Sequence, residues 1–241
     1  MTNIDQDELA KKYNSIQEIW SEEDKWHLRL KIMIDSFVLD FKNDHPLQES
    51  IAILNAGSAG YSYGFEEINM LHVDIAGDKI SHLPHFLIST IENMPVDNER
   101  FDLIICLGTV INYCDPIKVF SEFNRVLKKG GYLLIDFENS RTFELIGTKE
   151  FNKNAAFVET FYNKQIEKMW YFSESFIRNL SGTLNFNILN FNRCHYISPL
   201  IYKFSKNENA AAWFSRFDAF FSFIPIFNKI CANVIFALQK E

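Results

Sequence analysis

Residues 51–60 read IAILNAGSAG, a short apolar run (Ile51–Leu54) that stops in a small-residue loop carrying Gly57 and Gly60. A second apolar run, LHVD, follows and ends on Asp74, seventeen positions beyond Gly57. A strand opening into a glycine turn, then a strand tipped by a carboxylate, is how an open α/β sheet builds a nucleoside site. The turn lets backbone N–H groups approach the ligand, and the carboxylate accepts from ribose hydroxyls. A carboxylate at Asp74 could equally cap a following helical turn.

Downstream, FDLIICL (101–107) is apolar without alternation, the pattern of a strand covered on both faces. Asp115 then reads as an N-cap and Pro116 as the first helical residue. Val119, Phe120, Phe123 and Leu127 make the helix's apolar stripe, and KKGG (128–131) reads as its stop. Tyr132–Phe137 is a further buried strand. The order predicts a doubly wound α/β sheet. Helix is expected over 5–42 with a break at SEED, strand over 69–74, a short helix over 80–83 and strand over 86–90. Later come a hairpin pairing 157–162 with 167–172 around Asn163-Lys164, a helix from Ser173 through Leu180 and a strand over 185–197. The chain should close with helix over 205–228, broken near Pro225, and a strand over 232–239.

The 241 residues suit one decorated domain, 47% hydrophobic and 23% charged. A net charge of −7 argues against a broad nucleic-acid footprint. The cysteines (Cys106, Cys114, Cys194, Cys231) show no metal-ligand spacing, so no metal and a reduced cytoplasmic location are expected. No signal peptide or transmembrane span is expected either. Phenylalanine is abundant, with 24 copies densest near the C-terminus, which suits a core or an apolar acceptor pocket. The face Trp213, Phe217, Phe220, Phe221 and Ile224 reads as a core or lid helix, with an acceptor pocket or shallow membrane contact as other readings.

From Ile51 to Asn139 the chain resembles the class I S-adenosylmethionine-dependent methyltransferases, in the branch that modifies small molecules. FDLIICLGTVINYCDPIKVFSEFNRVLKKGGYLLIDFEN (101–139) carries the likeness most strongly, and IENMPVDNERFD (91–102) is similar to the segment that precedes that family's fourth strand. The resemblance implies a Rossmann-like seven-stranded sheet with an antiparallel last strand. It implies a helical N-terminal cap (1–48), a cofactor-binding domain (49–241) and acceptor-side elaborations, hairpin and helical, over about 141–230. Asn55, Gly57, Ser58, Ala59 and Gly60 would then line the methionine end of S-adenosyl-L-methionine. Asp74 would take the ribose, Ile75 the adenine face, and Thr90, Ile91 and Glu92 the adenine edge. Leu107, Gly108 and Asn112 would face cofactor and acceptor, and Tyr13, Trp20 and Trp26 could form a lid. Asn55 stands where the family usually has an acid, and Ala59 and Tyr61 where it has glycines. The short span to Asp74 implies a first helix truncated or replaced by the YSYGF loop.

The implied activity is methyl transfer to oxygen, nitrogen or carbon of a small or lipid-like acceptor, with no nucleic acid as partner. The alternative is a degenerate binding or scaffold protein on the same fold. Such transfer needs positioning more than acid–base machinery. A hydroxyl acceptor would call for a base, and His195 in RCHYISP is the candidate. Asn112 and Tyr113 could orient the acceptor or simply close a loop, while His72 on its buried strand reads as structural.

Overall fold

Strand β1 (Ile53–Ala56) is wholly buried and has a parallel neighbour on each side, so it lies near the middle of the sheet. The computed structural model describes residues 4–48, 50–162, 165–224 and 229–241. Beyond β1 come β2 (Met70–Asp74), the short helix α3 (Gly77–Ile80, three residues ahead of its expected place), β3 (Phe86–Ile88), β4 (Phe101–Cys106) and β5 (Leu127–Glu138). A separate hairpin, β6 (Ala155–Tyr162) and β7 (Gln165–Phe172), precedes β8 (Phe186–Cys194) and β9 (Asn233–Lys240). Seven strands form one sheet in the order β3-β2-β1-β4-β5-β9-β8, and β9 runs antiparallel to both its neighbours. The chain reverses its direction of winding between β1 and β4. Ligands of open α/β sheets bind at that point, outside the carboxyl ends of the strands.

Side chains alternate across the sheet with period two, and each face has its own core. Leu54, Ile104, Ile135 and Phe236 face one way, packing under α4 (Pro116–Val126) and α5 (Glu174–Thr183). Ile53, Leu103, Leu134 and Ile235 face the other way, under α2 (Lys25–Asp44). Helix α4 begins as expected, with the Asp115 carboxylate accepting from Ile117 N at 3.0 Å and Pro116 following. Its Phe120 and Phe123 are fully buried, each stabilising the fold by roughly 2–3 kcal/mol. Helix α2 buries Trp26, Leu30, Ile34, Phe37, Val38 and Phe41 at helical spacing. Ahead of it, α1 (Gln6–Ser15) buries no residue of its own and lies over the strand ends.

No α-helix joins β1 to β2; the loop is followed only by a 3₁₀ turn, Glu67–Asn69. The YSYGF segment instead leans on α2. Lys31 Nζ donates to Tyr61 Oη at 2.6 Å, and Lys42 Nζ donates to Gly64 O at 2.6 Å. The N-terminal helix thus covers the sheet face that the missing helix leaves open.

Three expectations change in detail. Gly130-Gly131 is not a helix stop, because α4 ends at Val126 and β5 starts at once. The pair instead lies inside β5, beside a register shift against β4, with Gly130 at φ +75°. The expected strand over 185–197 ends at Cys194, because His195 takes φ +55° and turns the chain toward the strand ends. The expected helix over 205–228 is broken. After α6 (Ser198–Ser205), Lys206 at φ +51° starts a new direction, then α7 (Glu208–Phe214), a 3₁₀ turn and α8 (Asp218–Ser222) follow. Pro225 and the Asn163-Lys164 turn lie outside the described residues. No helix among the described residues is long and apolar enough to cross a membrane.

Candidate active site

The carboxyl ends of β1, β2 and β4 open on a cavity of about 280 Å³. The β1 loop contributes Gly57, Ser58 and Ala59, the end of β2 contributes Asp74 and Ile75, and the segment after β3 contributes Thr90 and Ile91. Leu107 and Gly108 after β4 complete that half. The other half is built by Tyr113, Glu138, Glu167, His195 and Tyr202, with Tyr13, Trp20 and Trp26 from the N-terminal region above.

The β1 loop is fixed mostly by its own bonds. Gly57 sits at φ +71° and its N–H donates to Val73 O at 2.7 Å. The Asp74 carboxylate accepts from Ala59 N and from Ala76 N, each at 2.8 Å. Asp74 therefore lines the cavity and ties the β1 loop to Ala76, but it does not cap the helical turn Gly77–Ile80, whose N-cap Ala76 has no side-chain bond. Burial raises the Asp74 pKa against those bonds. Beneath the loop, Ser58 Oγ pairs with His72 Nδ1 at 3.0 Å. His72 is fully buried, and burial lowers its pKa, keeping it neutral.

The β4 loop is caught from below. Gly108 (φ +90°) and Thr109 (φ +60°) both adopt left-handed backbone, and Thr109 N donates to Asp136 Oδ1 at 2.9 Å. Burial pushes Asp136 up to about 7. Sequence reading missed this acid, although YLLIDFEN carried a signal for it: a carboxyl inside a strand covered on both faces needs a buried partner.

Four expected site residues lie away from the cavity wall. Asn55 Nδ2 donates inward, to Tyr61 O at 2.8 Å, and holds the loop's far end. Gly60 at φ +85° makes the turn, its N–H on Ser58 Oγ. Glu92 accepts from Asp115 N at 2.8 Å and from Lys118, fastening the start of α4 rather than facing a base. Asn112 is fully buried: its Oδ1 accepts from Glu138 N at 3.1 Å and its Nδ2 donates to Trp170 O, joining β5 to β7. Both its polar groups are thereby engaged within the protein, away from the cavity lining. Tyr113 does line the cavity, its ring 6.0 Å from Tyr13 and its Oη 3.3 Å from Glu167.

His195 is buried, and its Nδ1 lies 3.1 Å from Asn233 Oδ1. Asn233 Nδ2 donates to Glu138 Oε1 at 3.0 Å, which turns the amide oxygen toward the imidazole. The imidazole proton is therefore on Nδ1, and Nε2 keeps its lone pair with no hydrogen-bond partner. Burial pushes His195 down to about 4. Its sign is unfavourable to acid. Unfolded His195 takes a proton near 6.5 and folded His195 only near 4, so stability falls as pH drops between those values. We expect His195→Gln to flatten the loss of Tm between pH 6.5 and 4, measured by calorimetry. An unchanged slope would place the acid sensitivity elsewhere.

Helix α1 bridges the two halves. Lys12 pairs with Glu167 of β7, and Gln6 Nε2 donates to Tyr113 O. On the other side Asp78 N donates to Asn14, and Lys79 holds Ile16 O. Sequence reading missed Glu138, Glu144, Glu167 and Asn233. Only the two acids of DFEN carried a local signal, since an apolar strand has no reason to hold two carboxyls unless its end faces a site.

Residues 60–135 match the methyltransferase-domain family. The chain is 37% identical over 65 residues to a tRNA U34 carboxymethyltransferase of Campylobacter fetus subsp. fetus (strain 82-40), a match spanning 24% of this chain and 23% of that relative. Among solved structures it is similar to geranyl diphosphate C-methyltransferase from Streptomyces coelicolor A3(2), with TM-score 0.60 and 13% identity over 98% of each chain. It is also similar to 1,6-didemethyltoxoflavin-N1-methyltransferase from Burkholderia thailandensis, solved with S-adenosylhomocysteine, with TM-score 0.56 and 11% identity over 98% of this chain and 86% of that one. The strand order, the antiparallel β9 and the matched segment agree: the chain carries a methyltransferase domain on the class I S-adenosylmethionine-dependent methyltransferase fold.

Proposed function

We propose that this protein transfers a methyl group from S-adenosylmethionine to a small acceptor enclosed beneath α1. The observation that carries this reading is the convergence of the β1, β2 and β4 ends, Asp74 and a neutral, unpaired His195 nitrogen on one cavity. The residues present fit the cofactor. Asp74 has lone pairs left for a vicinal diol after its two backbone bonds, Ile75 and Ile91 offer apolar contact for a purine, and the β1 loop flanks the remainder. When bound, the cofactor supplies an electrophilic methyl group on a sulfonium. The chain supplies orientation, exclusion of water by Trp20, Trp26 and Tyr13, and a proton acceptor at His195 Nε2.

Two features favour a small acceptor over nucleic acid. The cavity is roofed by α1, and its charged lining is acidic apart from Lys12 and two histidines, which would repel a phosphate backbone. The same lining, with no cluster of metal-ligating side chains among the described residues, disfavours a diphosphate acceptor. The four cysteines, all buried and unpaired, fit a reducing cytoplasm. Calorimetric titration with S-adenosylmethionine and S-adenosylhomocysteine, with NAD as control, tests the reading. Micromolar binding of both and none of NAD is expected. Folded protein that binds neither compound overturns it.

A further inference from the structure

The acceptor half of the cavity is lopsided in charge. Among the described residues, the lining of the whole cavity holds six carboxylates (Glu18, Asp24, Asp74, Glu138, Glu144, Glu167), one lysine and no arginine, and Glu138, Glu144 and Glu167 fall in the acceptor half. The lysine, Lys12, is already paired with Glu167. Glu138 and Glu144 have no basic partner at hydrogen-bond distance, and they stand close enough to repel each other. That repulsion adds to burial in pushing Glu138 up to about 8, while burial raises Glu144 to about 7. Two partly buried acids side by side, offset only by the through-space charge of Lys203 and Lys206 on Glu144, are costly in the folded state. A second observation is independent of them. His195 is 4% exposed, lines the same cavity and leaves Nε2 without a partner. This wall is therefore rich in acceptor groups, and the one lysine among its described residues is already paired. Aromatic rings flank it: Tyr171, which feels both Glu138 and Glu144, and Tyr202, 4.9 Å from Trp26.

We infer that the acceptor is an amine, bound as its ammonium cation between Glu138 and Glu144 and passing one proton to these carboxylates to free the lone pair that takes the methyl group, with His195 Nε2 and the tyrosine faces completing the wall. An ammonium brings donors for these acceptors and a charge that rings attract. A carboxylate or phosphate acceptor would meet mostly like charge along this wall. The inference rests on the methyl-transfer reading for its biological meaning, but the recognition itself can be read without it.

The test uses three matched probes on the full chain: phenethylamine, 2-phenylethanol and phenylacetate. Their binding is measured by ligand-observed NMR, with and without saturating S-adenosylhomocysteine. Phenethylamine is expected to bind at least about tenfold more tightly than the alcohol, with phenylacetate weakest. Glu144→Gln and Glu138→Gln, each checked for an unchanged Tm, are each expected to reduce that preference about tenfold while leaving S-adenosylhomocysteine affinity in place. Equal binding of amine and alcohol overturns the inference, as does failure of the amine to bind or a preference untouched by both variants. Loss of S-adenosylhomocysteine binding alone would sink the methyl-transfer reading and leave the amine selectivity standing.

Discussion

Asp74→Ala is expected to weaken S-adenosylhomocysteine binding by about 100-fold or more, with little change in fold. A buried carboxylate that accepts from a diol makes two charge-assisted bonds, each contributing roughly 1.5–3 kcal/mol. Their joint loss, about 3–6 kcal/mol, corresponds to a factor of at least about 100. The variant also frees Ala59 N and Ala76 N, which Asp74 holds at 2.8 Å. Asp74→Asn separates the two effects, because it keeps one oxygen and the shape while removing charge. Calorimetry on both variants decides the matter. An intermediate loss in Asp74→Asn and a full loss in Asp74→Ala would assign the effect to ligand contact. Affinity within threefold of the parent in Asp74→Ala would show that the diol is held elsewhere.

The second large effect belongs to Gly57 and comes through folding. A Cβ there would sit 2.3 Å from Val110 Cγ1 and 2.6 Å from Val110 Cγ2, at a backbone φ of +71° that L side chains rarely adopt. Left-handed backbone costs roughly 1–2 kcal/mol by itself, and overpacking adds roughly 1–3 kcal/mol. At about 2–4 °C of Tm per kcal/mol for a chain of this length, Gly57→Ala should lower Tm by about 10 °C. Val110→Ala removes both clashing atoms. The double variant Gly57→Ala/Val110→Ala should therefore be more stable than the two single losses sum to, retaining only the backbone cost. Strict additivity in differential scanning calorimetry would mean that Val110 is not the obstacle, and that the loop moves to admit the methyl.

Much of the framework follows from local pattern alone. The mostly apolar, non-alternating runs at 53–56 and 101–106 call for layers on both sides, and Asp115-Pro116 with its stripe could only begin a helix. The YSYGF departure is likewise visible in chain length: the span from Gly57 to Asp74 is too short for a full helix and two turns. Gly130-Gly131 misled because a positive φ serves a helix stop and a β-bulge equally, and only pairing with β4 distinguishes them. Asn112 and Glu92 carry a related ambiguity. A polar residue near a site can face the ligand or fasten the loop that does, and sequence spacing is the same for both.

The sequence by itself determined the doubly wound sheet, the glycine turn after β1 and the carboxylate at the tip of β2. Those depend on neighbours within a few residues, where periodicity and turn chemistry act. The acceptor wall was decided only by the tertiary structure. Glu138, Glu144, His195 and Asn233 come from segments up to 95 positions apart, brought together when β9 inserts antiparallel beside β5. The left-handed backbone at His195 ends β8, and His195 takes its place in the cavity lining. No local signal reports such a meeting, because the burial that gives these groups their charge state exists only once both layers have closed over the sheet.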